Sequence, residues 1–218
     1  MDGAHGSQIA AAPVPAILPR GRRRTAAARR FVTAPACYPR RPPLPHAASV
    51  PESEIAIVRA RHGQLPDVAR LAGIIWRAHY PGILTHEQID YMLERGYALD
   101  KLAGFLDGPG RGLEVVTVDD ALAGFAAWYV TVDPAEAKLD KLYVLQSRQR
   151  RGLGGRLIEC VEGHARAGGA RTLVLNVNKS NDQAVRAYAK HGFAIREAVV
   201  VDIGGGFVMD DYVMAKPL

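Results

Sequence analysis

Beyond residue 50 the apolar positions fall into short blocks with one of two periods. The first is about two residues, as in a half-buried strand, and the second about 3.6, as in a helix. Residues 55–59 read as a first strand. Pro66 opens a helix to about His79, with Val68, Leu71, Ile75 and Trp76 on its inner side, and Pro81-Gly82 stops it. Thr85 and Gln88 have the spacing of a capping box for a helix over 87–95, and a third helical piece fits 99–106. Residues 113–118 and 122–132 read as strands joined by a hairpin turn at Asp119-Asp120, and a further strand falls within 135–145. Leu153, Leu157, Val161 and Ala165 form the stripe of a helix over 153–167. A buried strand over 171–177 follows, then a helix over 182–190 capped by Ser180 or Asn181. Residues 193–201 and 208–214 read as a closing hairpin around Gly204-Gly205-Gly206. The order is β-α-α-β-β-β-α-β-α-β-β, in which only the unit around the 153–167 helix looks like a right-handed crossover. The fold class predicted is α/β of the α+β kind: a mixed, mostly antiparallel central sheet with helices on both faces and one βαβ unit, over residues 51–218.

That crossover unit carries the most informative stretch, Gln149-Arg150-Arg151-Gly152-Leu153-Gly154-Gly155. It links a strand-like run to a helix N-terminus. Its glycines let the backbone turn and present successive N–H groups, as a phosphorylated ligand requires. A Walker loop is excluded, because Gly155 is followed by Arg156-Leu157 and no hydroxyl stands where magnesium needs one. A dinucleotide fingerprint is excluded as well, because Leu157 occupies the position of its third small residue.

Charge changes the picture in one respect. Of the formal +6, residues 1–50 supply +7, eight arginines against Asp2, which leaves −1 for the remainder. The basicity therefore belongs to a tail rich in Ala, Pro and Arg, with no sustained apolar period, and disorder is the expectation for residues 1–50. An organellar targeting peptide or a start codon assigned too far upstream fits the same composition. A nucleic-acid arm has no base-reading motif beside it. Cys37 and Cys160 set no disulfide framework, and Cys160 with His164 offers too few ligands, so no metal is expected. No apolar run reaches the length of a membrane span, and a cytoplasmic location is the default expectation.

The loop, Gln-x-x-Gly-x-Gly, resembles the pyrophosphate loop of the GCN5-related N-acetyltransferases, which bind acetyl-coenzyme A. Downstream, Asn176 through Phe193 looks like that family's second motif, in which an Asn precedes a helix that bears a Tyr and ends in Gly-Phe. Two motifs in the right order, separated by one helix and one strand, extend the resemblance over residues 55–218. A narrower likeness, to the bacterial PaiA-like polyamine acetyltransferases, rests on Trp76 through Tyr91 and on Asp202 through Met214.

The resemblance implies a role for each matching residue. Leu142, Tyr143 and Val144 would hold the pantetheine arm by their backbone. Gln149, Arg150, Arg151, Gly152, Leu153 and Gly154 would wrap the pyrophosphate. Asn176 and Asn178 would stand where the strands part, Asn181 would meet the pantetheine amide while capping its helix, and Tyr188 would be the general acid. Trp76 and Tyr80, with His79 and Tyr91, fall in the helical segment that forms the acceptor side. The proton acceptor stays open among Glu114, Asp133, Glu136 and Asp140. The implied activity is transfer of acetyl from acetyl-coenzyme A to a primary amine, most of all a small polyamine. A protein α-amine or lysine, or an aminoglycoside, is the rival acceptor, and a regulator that uses the basic tail on nucleic acid is the rival of another class. A homodimer is compatible with this reading.

Overall fold

The computed structural model describes residues 53–218, and the arginine-rich segment 1–50 lies outside the described residues. Within them the two periods resolve into β1 (Ile55–Arg59), α1 (Leu65–His79), α2 (His86–Tyr97), α3 (Leu99–Ala103), β2 (Arg111–Val118), β3 (Ala121–Val130), β4 (Glu136–Val144), α4 (Leu153–Ala167), β5 (Thr172–Asn178), α5 (Asp182–Lys190), β6 (Ala194–Gly204) and β7 (Phe207–Pro217). The strands form one seven-stranded sheet in the order β1-β2-β3-β4-β5-β7-β6. Only the β4–β5 pairing is parallel, crossed over by α4, and a second crossover runs from β5 through α5 to β6, with β7 between them, where the sequence suggested one crossover unit.

Several local devices set these boundaries. Asp119 and Asp120 both adopt positive φ, as the two-residue turn between β2 and β3 requires. Thr85 accepts from the backbone N–H of Gln88 at 3.2 Å, but only half of the expected box forms. Gln88 turns toward β7 instead, and its Nε2 donates to the carbonyl of Val208 at 3.0 Å, tying α2 to β7. α3 ends at Ala103, short of the expected 106, because Phe105 N–H and Leu106 N–H bond to Leu102 and Ala103 in tight i→i+3 fashion. β3 stops before Val132, which is fully exposed ahead of Asp133-Pro134. The Gly204-Gly205-Gly206 turn has positive φ throughout and lies against α2, where the Tyr91 hydroxyl donates to the Ile203 carbonyl at 2.7 Å. A Cβ on Gly204 would stand 2.7 Å from that hydroxyl.

The two sheet faces carry separate cores. On one, α4 and Tyr188 of α5 pack over Leu139, Leu142, Leu173, Leu175 and Met214. On the other, α1, α2 and α3 pack over Val115, Phe125, Tyr143 and Met209. Aromatic rings fill the second core: Trp76 lies 4.4 Å from Tyr80, 5.9 Å from Tyr97 and 6.1 Å from Tyr143, centroid to centroid.

The feature that makes room for chemistry is the failure of β4 and β5 to stay together. They pair only at Glu136 with Thr172, Ala137 with Leu173 and Lys138 with Val174. Just beyond, β4 slips its register on β3, because Lys141 pairs Ala127 while Leu139 pairs Trp128, leaving Asp140 as the extra residue of a bulge. A bulge bends its strand and increases its twist. From there to Val144 and Asn178 the two strands run apart with no ladder between them.

Candidate active site

The sheet register decides which side chains reach this gap. Lys138 pairs Val174, Asn176 pairs Val213 and Asn178 pairs Asp211, so Lys138, Asn176, Asn178 and Asp211 share one face. It is the face covered by α1, since Met209, two residues from Asp211, packs in the α1–α3 core. Tyr188 comes from the opposite face, in the α4 core. Its hydroxyl is nevertheless electrostatically coupled to Tyr143, and Tyr80 is coupled to Tyr143, Tyr188 and Asp211. Groups on two faces of a sheet interact in this way where the sheet is open.

Three of these side chains carry buried polar atoms with no well-formed hydrogen bond among the described residues: Tyr80 Oη, Tyr188 Oη and Asp211 Oδ1. Buried polar atoms are nearly always paired, so three orphans at one gap mark a place shaped for something else. Burial holds both phenols in the protonated form, far above the usual tyrosine range. Burial also raises the Asp211 carboxyl to about 6, even though a hydrogen bond from Asn176 and the charges of Lys138 and Lys179 oppose the rise. Lys138 is pushed down, chiefly by burial, against the pull of Asp140 and Asp211.

The other expected site residues are placed as follows. Trp76 lies inside the aromatic core and its indole N–H donates to Tyr97 Oη at 3.0 Å. Tyr91 is occupied with the β6–β7 turn. Asn181 caps α5 by accepting from Ala184 N–H at 3.2 Å, and its Nδ2 lies 3.1 Å from His79 Nε2, which pins the start of α5 to the end of α1. His79 stays neutral because burial lowers its pKa, leaving Nε2 free to accept. Asn178 is spent locally, accepting from Ser180 N–H at 2.9 Å. Leu142, Tyr143 and Val144 form the end of β4, on the side that β5 has left.

The Gly-rich loop follows. After one tight turn at Gln146–Arg148, Gln149 is extended and its Nε2 donates to the carbonyl of Val144 at 3.2 Å, closing the loop onto the strand. Arg150 and Gly152 take positive φ, and Gly152 forms the N-cap of α4 with no capping side chain. Leu153 is buried in the α4 core, while a Cβ on Gly154 would meet nothing within 4 Å. Arg150 and Arg151 are exposed. Between this loop, α1 and α5 lies a cavity of about 290 Å³, lined by Ile75, Ala78, His79, Leu145, Gln149 and Gln183 among others.

Of the acids singled out in the sequence, Asp140, Glu136 and Asp133 are committed elsewhere, and Glu114 keeps a buried Oε1 without a hydrogen bond among the described residues. Asp140 pairs with Lys141 at 2.7 Å, both nearly buried, with the ammonium 5.1 Å above the Tyr97 ring. Glu136 pairs with Arg196 at 2.5 Å, and Asp133 accepts from Ala135 N–H at 2.9 Å in its own turn. Glu114 is buried beside His164 (3.5 Å) and Arg59 (3.9 Å). Glu114 adds a third ligand atom to Cys160 and His164, all within 4.8 Å of one another. The cationic Arg59 already faces this carboxylate, and His164 is eleven residues from Leu153, about 16 Å along α4 at 1.5 Å per residue. The sequence reading passed over Asp211, the buried carboxylate at this gap. Its signal was an acid at an inward position of a strand, between Met209 and Val213.

Comparison with known proteins agrees with this geometry. Residues 69–193 match the acetyltransferase (GNAT) family model. An uncharacterized N-acetyltransferase of Mycobacterium bovis is 28% identical over 152 residues, 70% of this chain and 96% of that protein. The ribosomal-protein-alanine N-acetyltransferase of Salmonella typhimurium is 40% identical over 78 residues, 36% of this chain and 51% of the relative. Among solved structures, the PaiA N-acetyltransferase of Thermoplasma acidophilum in complex with coenzyme A shares the fold at TM-score 0.65 and 22% identity, covering 76% of this chain and 99% of that one. The chain belongs to the acetyltransferase (GNAT) family and is an N-acetyltransferase that takes its acetyl group from acetyl-coenzyme A.

Proposed function

We propose that the acetyl group goes to a primary amine of a small cationic acceptor of the polyamine type. One observation carries this: the gap between β4 and β5 is flanked by the buried, incompletely partnered groups Tyr80, Tyr188 and Asp211. A proton donor and a carboxylate at one gap suit a reaction that accepts a proton from an ammonium and returns one to a thiolate. In this reading the pantetheine arm lies along Leu142, Tyr143 and Val144 and enters by the cavity beside His79 and Gln149. The pyrophosphate sits over Gly152 and Gly154, where the space is open and the N–H groups of the first turn of α4 point outward. The helix dipole favours that anion by about 0.3–1 kcal/mol, and Arg150 and Arg151 add charge at the rim. Tyr80 borders the acceptor side, with Trp76 behind it as support. The resemblance of Trp76 through Tyr91 and of Asp202 through Met214 to the PaiA-like group favours a polyamine.

A second reading has the acceptor as a protein α-amine. It is favoured by the local identity to the ribosomal-protein-alanine enzyme. A coenzyme A-release assay against spermidine, spermine, amino acids, short peptides with free N-termini and aminoglycosides separates the two. Spermidine should give the highest kcat/KM. Acetylation confined to peptides would overturn the polyamine assignment and leave the N-acetyltransferase intact.

A further inference from the structure

This inference rests on the amine-acceptor reading above. The geometry points to Asp211 as the group that receives the acceptor's ammonium on its unpartnered oxygen and takes the proton from it, with Asn176 fixing the carboxylate as a positioning residue.

The placement follows from the fold. Asp211 stands on β7 opposite Asn178, and Asn176 is its diagonal neighbour across the β5–β7 ladder. The residue is 1% exposed, Oδ1 has no hydrogen-bond partner among the described residues, and Asn176 hydrogen-bonds the carboxyl group. A buried carboxylate oxygen left open is costly unless a donor meets it. An ammonium supplies that donor and a compensating charge together. Asp133, Glu136 and Asp140 already hold partners of their own, so they compete poorly for the role.

The charged and titratable groups around Asp211 come from every neighbouring element. They are Lys138 on β4, Lys179 just beyond β5, Asp210 on β7 and Tyr80 just after α1. Lys179 is itself ion-paired with Asp210, and Lys138 is shared with Asp140. Burial outweighs the lysines, so the carboxylate is a stronger base than a surface aspartate by about two pH units, 3.8 against about 6. An amine near pKa 10 then yields its proton over a gap of about four units rather than about six.

The step balances as follows. One proton passes from R–NH3⁺ to the Asp211 carboxylate, and the freed lone pair attacks the thioester carbonyl carbon. The carbon–nitrogen bond forms and the carbon–sulfur bond breaks. The leaving thiolate takes the Tyr188 proton, and the nitrogen returns its second proton to that phenolate. Asp211 then releases its proton to solvent. The sum is amine cation plus acetyl-coenzyme A giving amide, coenzyme A and one proton.

The test is the pH profile of kcat/KM for spermidine, the probe, over about pH 5 to 9 at saturating acetyl-coenzyme A. The wild type should rise through an apparent pKa near 6 and then level off. Asp211→Asn should fall by about 10²–10⁴-fold near neutral pH, lose the plateau and climb with pH toward the amine's own pKa. Lys138→Met removes a cation that holds Asp211 down, so the acidic limb should move to higher pH. Calorimetry of spermidine binding to the coenzyme A complex gives a readout without turnover. Affinity should weaken below about pH 6 in the wild type and be weak at every pH in Asp211→Asn, while coenzyme A binding is unchanged. An Asp211→Asn enzyme within about threefold of wild type with the same limb overturns the assignment, as does a wild type active on spermidine with no limb near 6. If the wild type neither acetylates nor binds any amine in the panel, the acceptor reading falls and takes this inference with it.

Discussion

Asp211→Asn should make the protein more stable while making it a worse enzyme. In the folded chain this carboxyl titrates at about 6, against 3.8 for the ordinary side chain. The folded state therefore binds this proton more tightly than the unfolded chain does. The sign follows: below about pH 3.8 the group is neutral in both states and costs nothing extra. As pH rises toward 6 the unfolded chain ionises first, and stability is lost across that window. Above about 6 the loss is complete, at roughly 3 kcal/mol for a shift of about two units at 1.36 kcal/mol each. An isosteric amide carries no charge, but its burial still has a cost, and Lys138 loses one of its three carboxylate neighbours. Those terms take back about half, leaving an expected gain of about 1–2 kcal/mol at pH 7.5. At about 2–4 °C per kcal/mol for a domain of this size, Tm should rise by about 2–8 °C. Calorimetric or urea unfolding of both proteins at pH 7.5 and at about pH 4 measures it, and at the lower pH the difference should shrink toward zero. An Asn variant less stable than wild type by more than about 1 kcal/mol at pH 7.5 would show that Asp211 is held as a structural ion-pair partner, and the desolvation argument would be wrong.

Three further outcomes follow from the same structure. Tyr188→Phe keeps the buried ring against Phe193 and removes only the unpartnered hydroxyl, so Tm and coenzyme A affinity should hold while kcat drops by about 10²–10⁴-fold in single-turnover kinetics. Gly154→Val fills space that is open in the protein, so folding should survive, and isothermal titration should show coenzyme A affinity falling by at least about tenfold, or about 1.4 kcal/mol. Lys141→Met strands the nearly buried Asp140 carboxylate and should cost about 3–5 kcal/mol in urea unfolding, and adding Asp140→Asn should recover most of it.

The parts of this protein that were legible in the sequence are those fixed by local chemistry. α4 and α5 begin and end where Gly152, Asn181 and the apolar stripes put them, because caps and periodicity act within a turn or two. The strand ends drifted by a few residues, since a strand stops where its partner stops, and the partner is distant in sequence. Gln88 shows the same limit inside a helix. Its spacing from Thr85 suits a capping box, yet its side chain is drawn to Val208, 120 residues away. The site divides along this line. The Gly-rich loop stood out by its spacing, and Tyr188, on the next helix, by the resemblance of residues 176–193 to a family motif. Asp211 joins them only because β7 inserts between β5 and β6, which puts it beside Asn176. In the sequence it is one of a pair, Asp210-Asp211, that reads as solvated charge near the end of the chain. A strand turns alternate residues to opposite faces, so one residue of register separates the two fates. Asp210 faces outward to Lys179, and Asp211 faces inward to a gap where no donor among the described residues meets its second oxygen. The place of Asp211 at the gap is thus set by sheet order and strand parity, and neither is written in the residues nearest the acetyl-coenzyme A loop.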